Sequence, residues 1–260
     1  LDPAFDPGGG PNTTLSRIYP LGGGRVLLAG SPSFSSYNGV ARVALARVNA
    51  DGSLDSSFDA GAPDSTINAA AVQFDDRLIV VGSFTTINGV ARNRIARLLP
   101  GGAVDTAFAA DADNSISAVA LQLDGKILIG GSFTTVNGVS RTRVARLNAD
   151  GTVDSSWDPG TAPNSTVTGI LVQEDGRIAV IGSFTSVNNQ ANTGRVARLL
   201  ASGALDTSLS MPTLINTPSA IAMLDDGSLL LGGGYFRVDT AQRFGLVRTT
   251  SAAGPVFVSQ

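Results

Sequence analysis

Gly125-Lys126-Ile127-Leu128-Ile129-Gly130-Gly131-Ser132-Phe133-Thr134-Thr135-Val136-Asn137-Gly138, followed by Arg143-Val144-Ala145-Arg146-Leu147-Asn148-Ala149-Asp150-Gly151, is the stretch that decides the architecture. Its landmarks recur along the whole chain, and a fixed period of this kind marks a repeat fold. The Gly-x-Phe element puts Phe34, Phe84, Phe133, Phe184 and Phe236 at spacings of 50, 49, 51 and 52 residues. An Ala-Arg-(Leu/Val) run follows, giving Arg47, Arg97, Arg146 and Arg198, with Val247-Arg248 in the last copy. Next comes a hydrophobic-Asp-x-x-aromatic element: Leu54-Asp55 to Phe58, Val104-Asp105 to Phe108, Val153-Asp154 to Trp157, and Leu205-Asp206 to Leu209. An Asx beside Ser or Thr closes the unit at Asn12, Asp64, Asn114, Asn164 and Asn216.

Each unit reads as three strands and a short fourth segment. Ile116 to Leu123 is an apolar run that meets Asp124-Gly125, a hairpin signal. Lys126 to Phe133 is a β-branched, Gly-rich strand, and Arg143 to Asn148 alternates with a period of two. Val153 to Trp157 is short enough to be an edge strand or an anchoring turn. Antiparallel strands in units of about fifty residues are the signature of propeller blades. The last unit ends at Arg248 without its hydrophobic-Asp element, and the chain begins with one, Leu1-Asp2-Pro3-Ala4-Phe5. The sequence therefore predicts an all-β, five-bladed β-propeller over residues 1–250, closed by its N-terminal segment, which would also cover an exposed strand edge. Residues 251–260 read as a linker and the start of a following module.

Composition narrows the chemistry. There is no Cys and no His among the 260 residues, so thiolate nucleophiles, imidazole bases and the usual zinc, copper or haem ligand sets are excluded. Lys126 is the only lysine and Glu174 the only glutamate, a poor supply for exposed helix faces. A net charge of −3 gives no electrostatic footprint for nucleic acid. No stretch reads as a signal peptide or a membrane span, so membrane insertion is not expected.

The strings quoted above resemble the bacterial delta-sixty repeat, a propeller-type family of unknown function, and the resemblance extends over residues 1 to about 250. Three repeats depart from it: Ser33 is inserted before Phe34, the loop from Asn188 to Gly194 is longer, and Gly234-Tyr235 replaces Gly-Ser. The resemblance implies a secreted or cell-surface bacterial protein in which neighbouring modules, often immunoglobulin-like, lie on the same polypeptide. The tail Gly254-Pro255-Val256-Phe257-Val258 suits the first strand of such a module. The resemblance brings no established ligand and no catalytic residues.

A charged residue that recurs once per repeat reads as a structural device. Arg and Asp of the two motifs recur in matched number, which predicts buried Arg–Asp pairs within or between blades, with the planar guanidinium favouring Arg. Paired carboxylates of a polysaccharide-acting glycoside hydrolase are the rival reading. Most acids, however, are locked into repeat positions, and Asp111, Asp113 and Asp239 have no context marking an acid and a base. A non-catalytic protein without a resident cofactor is expected. Calcium is the one candidate ion, at Asn148 to Asp154, at Asn49 to Asp55, or at the Asp111-Ala112-Asp113 cluster. The Gly/Pro-rich linkers 6–13, 59–64, 109–114, 158–164 and 210–216 are the most divergent parts of the repeat. They share one face with the Thr-Thr-x-Asn-Gly loops, and variable loops on a rigid scaffold are where recognition usually lives. Asn12, Asp64, Asn114, Asn164 and Asn216 are thus the candidate ligand-binding residues, with an extracellular glycan or protein as the expected partner. A brick of a surface filament or layer is a third reading.

Overall fold

The computed structural model describes residues 2–160, 162–191, 194–208, 214, 216–224, 227–238 and 241–249. Leu1, Asp239 and the tail 251–260, on which expectations were placed, lie outside the described residues. The chain divides into two compact units, 1–119 with 150–152, and 120–149 with 153–260. Each carries its own hydrophobic clusters. One is built around Phe58, Phe84 and Val80, and another around Trp157, Phe184 and Val180.

Every repeat supplies one three-stranded sheet, with strand order following the chain. In the first repeat the strands are Arg17–Pro20, Val26–Ala29 and Leu45–Val48. In the second they are Ile67–Val72, Leu78–Gly82 and Ile95–Leu98. In the third they are Ile116–Leu121, Ile127–Gly131 and Val144–Leu147. The fourth has Val167–Val172, Ile178–Gly182 and Val196–Leu199. The fifth has Ala220–Met223, Leu229–Val238 and Ala241–Arg248. Burial explains the composition of each position. The middle strand is buried at every residue in repeats two to four, so it is apolar throughout. The first strand mixes buried and half-buried positions and tolerates Asn68, Ser117 and Thr168. A register shift enters between Ile67 and Ala69 and again between Val167 and Gly169. A Cβ at Gly82 or Gly182 would lie 2.1 Å from the carbonyl oxygen of Thr66 or Thr166, so only glycine fits there.

One detail differs from the sequence expectation, and one alternative that it left open is decided. The polar loop after the middle strand is itself folded into a miniature hairpin, as in Ser36–Tyr37 with Val40–Ala41 and Thr86–Ile87 with Val90–Ala91. Its Asn-Gly tips have both residues at positive φ, which the right-handed twist of the flanking strands requires of a two-residue turn. The fourth segment is an anchoring turn, not a strand, joined to the third strand by a single bridge such as Leu98 to Val104.

The anchor holds successive repeats together. Arg47 Nη1 donates to Pro100 O of the next repeat at 2.7 Å, and Asp59 N donates to Gly101 O at 2.9 Å. Gly102, at φ 95°, lets that turn close onto Asp59, whose carbonyl carbon would lie 2.4 Å from any Cβ there. The N-terminal copy follows the same pattern on the first repeat: Asp6 N donates to Asp51 O at 2.8 Å. Phe5, expected to be buried, is 43% exposed, whereas Phe58, Phe108 and Trp157 are fully enclosed.

Candidate recognition face

The repeated charges are absorbed by the scaffold. Arg47, Arg97, Arg146 and Arg198 donate through Nε to Asp55, Asp105, Asp154 and Asp206 at 2.6, 2.8, 2.8 and 2.7 Å. The guanidinium also covers the anchor ring, 4.9 Å from Phe58, 4.8 Å from Phe108 and 5.6 Å from Trp157. The other carboxylate oxygen caps the turn, accepting from Ser57 N, Ala107 N, Ser156 N and Ser208 N. Burial pushes these four carboxyls up. Hydrogen bonds from the turn and from the arginine more than offset it and hold all four below the ordinary carboxylate value. Asp154 carries an added cation, Lys126, at 2.7 Å.

The linkers and the miniature hairpins meet in the first, second and fourth repeats. Asn38 N donates to Gly10 O at 3.0 Å and Asn88 N to Ala62 O at 2.9 Å. Asn12 Oδ1 accepts from Ser35 N and Ser36 N at 3.1 and 3.2 Å, and Asn164 Oδ1 from Thr185 N and Ser186 N at 2.9 and 3.2 Å. Asp64 takes the same place in the second repeat, accepting from Thr85 N at 2.7 Å and Thr86 N at 3.0 Å. Asn114 Oδ1 accepts from the next residue, Ser115 N, at 2.7 Å, and Asn216 has an interaction of its own. Asn12, Asp64 and Asn164 therefore fix the shape of the loops in their repeats with their carbonyl or carboxylate oxygens. The groups left to meet a ligand are the neighbours they orient.

Those neighbours went unnoticed in the sequence. Asn12 Nδ2 donates to Ser35 Oγ at 2.9 Å and Asn164 Nδ2 to Thr185 Oγ1 at 3.1 Å, so each hydroxyl accepts inward and keeps its own proton for an outside acceptor. Asp64 has no proton to give. There the Thr85 hydroxyl donates to Asp64 Oδ2 and keeps only lone pairs for the outside. The Thr85 hydroxyl, followed by the Thr86 amide, draws the Asp64 carboxyl down to about 2. Ser35, Thr85 and Thr185 are all exposed. The only signal in the sequence is Asp against Asn at one repeat position, whose meaning depends on contacts more than twenty residues away.

The acidic side chains of the cation candidates are engaged by other groups of the protein. Asp51 Oδ1 accepts from Ser53 N and Oγ at 2.9 and 2.7 Å, and Asp150 Oδ1 from Thr152 N and Oγ1 at 2.9 and 2.7 Å. Asp111 Oδ2 accepts from Asn93 Nδ2 at 2.8 Å, and Asp113 has its own partner. Among the described residues no three acidic side chains gather as a metal site would require. No helix among them is long and apolar enough to cross a membrane.

The model of the family described as "Domain of unknown function (DUF5122) beta-propeller" matches residues 24–58, 73–108, 122–156 and 173–209. The chain belongs to this family. Its fold is all-β and propeller-like, as the sequence resemblance implied, and the family carries no assigned function. No curated protein matches the chain. Among solved structures it is similar to a streptogramin B lyase, at 18% identity and a TM-score of 0.60 over 96% of this chain and 70% of that one. It is also similar to the WD40 β-propeller domain of Doa1, at 15% identity and a TM-score of 0.59 over 91% and 63%. PorZ, a bacterial surface component of the type-IX secretion system of Porphyromonas gingivalis, aligns at 16% identity and a TM-score of 0.52 over 99% of this chain and 36% of PorZ. At these identities the likeness is one of fold.

Proposed function

We propose that this family member is a non-catalytic recognition module, a five-bladed propeller closed by its N-terminal segment, in a secreted or cell-surface bacterial protein. Its ligand is an extracellular glycan or protein held on the face formed by the linkers and miniature hairpins. The observation that carries this reading is the division of labour in the repeat. Recurrent charges are consumed in buried anchors, while the divergent linkers are clamped by Asx side chains that turn polar groups such as Ser35 and Thr185 outward. A rigid scaffold presenting variable, pre-shaped loops is what recognition needs. The extracellular domain of the putative one-component system BT4673 from B. thetaiotaomicron is similar in fold, as is PorZ, and both are in keeping with an extracellular setting.

Closure is supported by the first repeat, on which Asp6 is seated as Asp59 is seated on the second. The N-terminal anchor thus has the form of an anchor that serves an outer strand, and Arg248 belongs to an outer strand whose own unit lacks that element. The function is tested by screening the purified chain on an array of bacterial and host glycans, with surface-protein extracts in parallel. Binding that is lost when the Asn164 linker 158–164 is replaced by the 59–64 sequence supports the reading. Turnover of a glycan, or binding indifferent to every linker exchange, overturns it.

A further inference from the structure

The miniature hairpins carry a second chemistry, one of modification. Three of them turn at Asn-Gly: Asn38-Gly39, Asn88-Gly89 and Asn137-Gly138; the fourth turns at Asn188-Asn189. All four tips are exposed, with the Asn at φ 49°, 50°, 51° and 55°. Nothing lies within 4 Å of the place where a Cβ would stand on Gly39, Gly89 or Gly138, so no neighbour crowds these glycines, and the Asn38 carboxamide has only to release the Gly10 N–H that its Oδ1 accepts at 2.8 Å before its Cγ can turn to the Gly39 nitrogen. Among the described residues these three glycine amides donate no hydrogen bond, because a two-residue turn pairs only the flanking residues, as Tyr37 with Val40.

We propose that the tips at Asn38, Asn88 and Asn137 are sites of spontaneous deamidation, and that the fourth tip, at Asn188, is a repeat protected from it. The glycine nitrogen attacks Cγ of the preceding asparagine. A C–N bond forms, and the side-chain nitrogen leaves as ammonia with the displaced amide proton. Water then opens the five-membered imide at either carbonyl, giving aspartate or isoaspartate. Water is the only co-reactant. At the fourth tip the attacking nitrogen belongs to Asn189, whose Cβ crowds the approach that glycine leaves open.

The structural consequence is specific to this face. Isoaspartate routes the main chain through Cβ and adds a carbon to a turn that has room for two residues. The Tyr37–Val40 pair and the Asn38 N to Gly10 O bond that holds the linker cannot both survive it. Each event also replaces a neutral amide with a carboxylate. Ageing would therefore loosen and acidify the first three hairpins while leaving the fourth unchanged.

The test is to incubate the folded chain at mildly alkaline pH and body temperature, then map peptides by mass spectrometry with fragmentation that separates aspartate from isoaspartate. Acid and isoacid should accumulate at residues 38, 88 and 137, with Asn188 more than an order of magnitude slower. Asn189→Gly should bring Asn188 into the reactive group, and Gly138→Ala should remove Asn137 from it. Circular dichroism on each variant verifies folding, and urea-unfolded samples give the rates free of the turn. Equal rates at 137 and 188 in the folded chain, or conversion only in the unfolded samples, would overturn the proposal.

Discussion

Two kinds of Asx grip build this molecule, and they differ in what stands behind the oxygen. At the anchors a buried aspartate caps a turn with one oxygen and holds an arginine with the other, as Asp105 does with Ala107 N and Arg97. On the loops an exposed Asx holds two loop amides, and beyond them only a hydroxyl, as Asn164 does. The anchor joins one repeat to the next, so its geometry is under the heavier constraint and its letters hardly vary. The loop grip shapes a surface within one repeat, where either Asn or Asp suffices. The N-terminal copy stands between the two. Asp2 caps Ala4 N at 2.9 Å, and Phe5 N donates to Asp2 O at 3.3 Å, the distance between Phe58 N and Asp55 O. Asp2 makes no ion pair among the described residues, and Phe5 stays half exposed. The anchor sequence alone is therefore enough for the turn, and the arginine is what encloses the ring.

The largest effect should come from taking the arginine away. Arg97→Ala leaves a carboxylate buried at Asp105 and uncovers Phe108, and should cost about 3–5 kcal/mol, read as a fall in urea midpoint at constant slope. Arg97→Met combined with Asp105→Leu should recover much of that loss, since a well-packed apolar pair can replace an ion pair. The same change at Arg146 should cost less, because Lys126 stays on Asp154. Equal losses at the two positions would mean that Lys126 adds nothing to that anchor.

The intermediate case tests closure. If residues 1–6 complete the fifth repeat, deleting them removes apolar burial and bares a strand edge, a loss of roughly 3 kcal/mol with increased aggregation. Phe5→Ala alone should cost clearly less than Phe108→Ala, for which about 3–5 kcal/mol is expected from emptying a filled core site. A truncated chain with the melting temperature of the full one would sink the closed ring.

How far these differences could be read in advance follows from their range in the chain. The Arg–Asp pairing was legible because its members are eight residues apart and recur in four repeats. Phe84, Phe133 and Phe184 are fully buried, and their fixed period beside glycine is the trace of that in the sequence, since an aromatic so placed has little else to do. The two-residue strands of the miniature hairpins were not, since Thr-Thr-x-Asn-Gly offers no alternation long enough to show a strand. The Asx residues were legible as recurrent linker positions, but the contacts of Asn12, Asp64 and Asn164 were not. Their partners lie some twenty residues downstream, so nothing local shows that their oxygens are already engaged.

Acid separates the two grips through charge. Asp55, Asp105, Asp154 and Asp206 all have carboxyl values lowered by folding. The folded chain thus binds fewer protons than the unfolded one as pH falls through the carboxylate range. Their contribution is fully present above the unfolded value of about 4 and is lost progressively below it. The melting temperature should be flat from pH 8 to about 5 and fall steadily below about 4. A chain carrying both Arg97→Met and Asp105→Leu should fall less steeply, since one of the four titrating anchors is gone. An identical acid limb would assign the loss to other carboxylates.

The smallest effect belongs to Asp64→Asn, and it bears on the face itself. The substituted amide can accept from Thr85 N and Thr86 N through Oδ1, as Asn164 accepts from Thr185 and Ser186. Stability at neutral pH should therefore move by no more than about 0.5 kcal/mol. What changes is direction. Nδ2 now donates to the Thr85 hydroxyl, whose proton, until then held by Asp64, is turned outward as in the fourth repeat. The Asp64 carboxyl, drawn down to about 2 by the Thr85 hydroxyl first, also ceases to titrate. The variant should lose a small part of the stability difference between pH 5 and pH 2 and nothing at pH 7. In NMR spectra the slowly exchanging Thr85 hydroxyl proton of the parent should vanish into solvent exchange. A variant that unfolds at neutral pH would show the second repeat to depend on charge. In that case the anchors would not be the only places where the scaffold relies on a carboxylate.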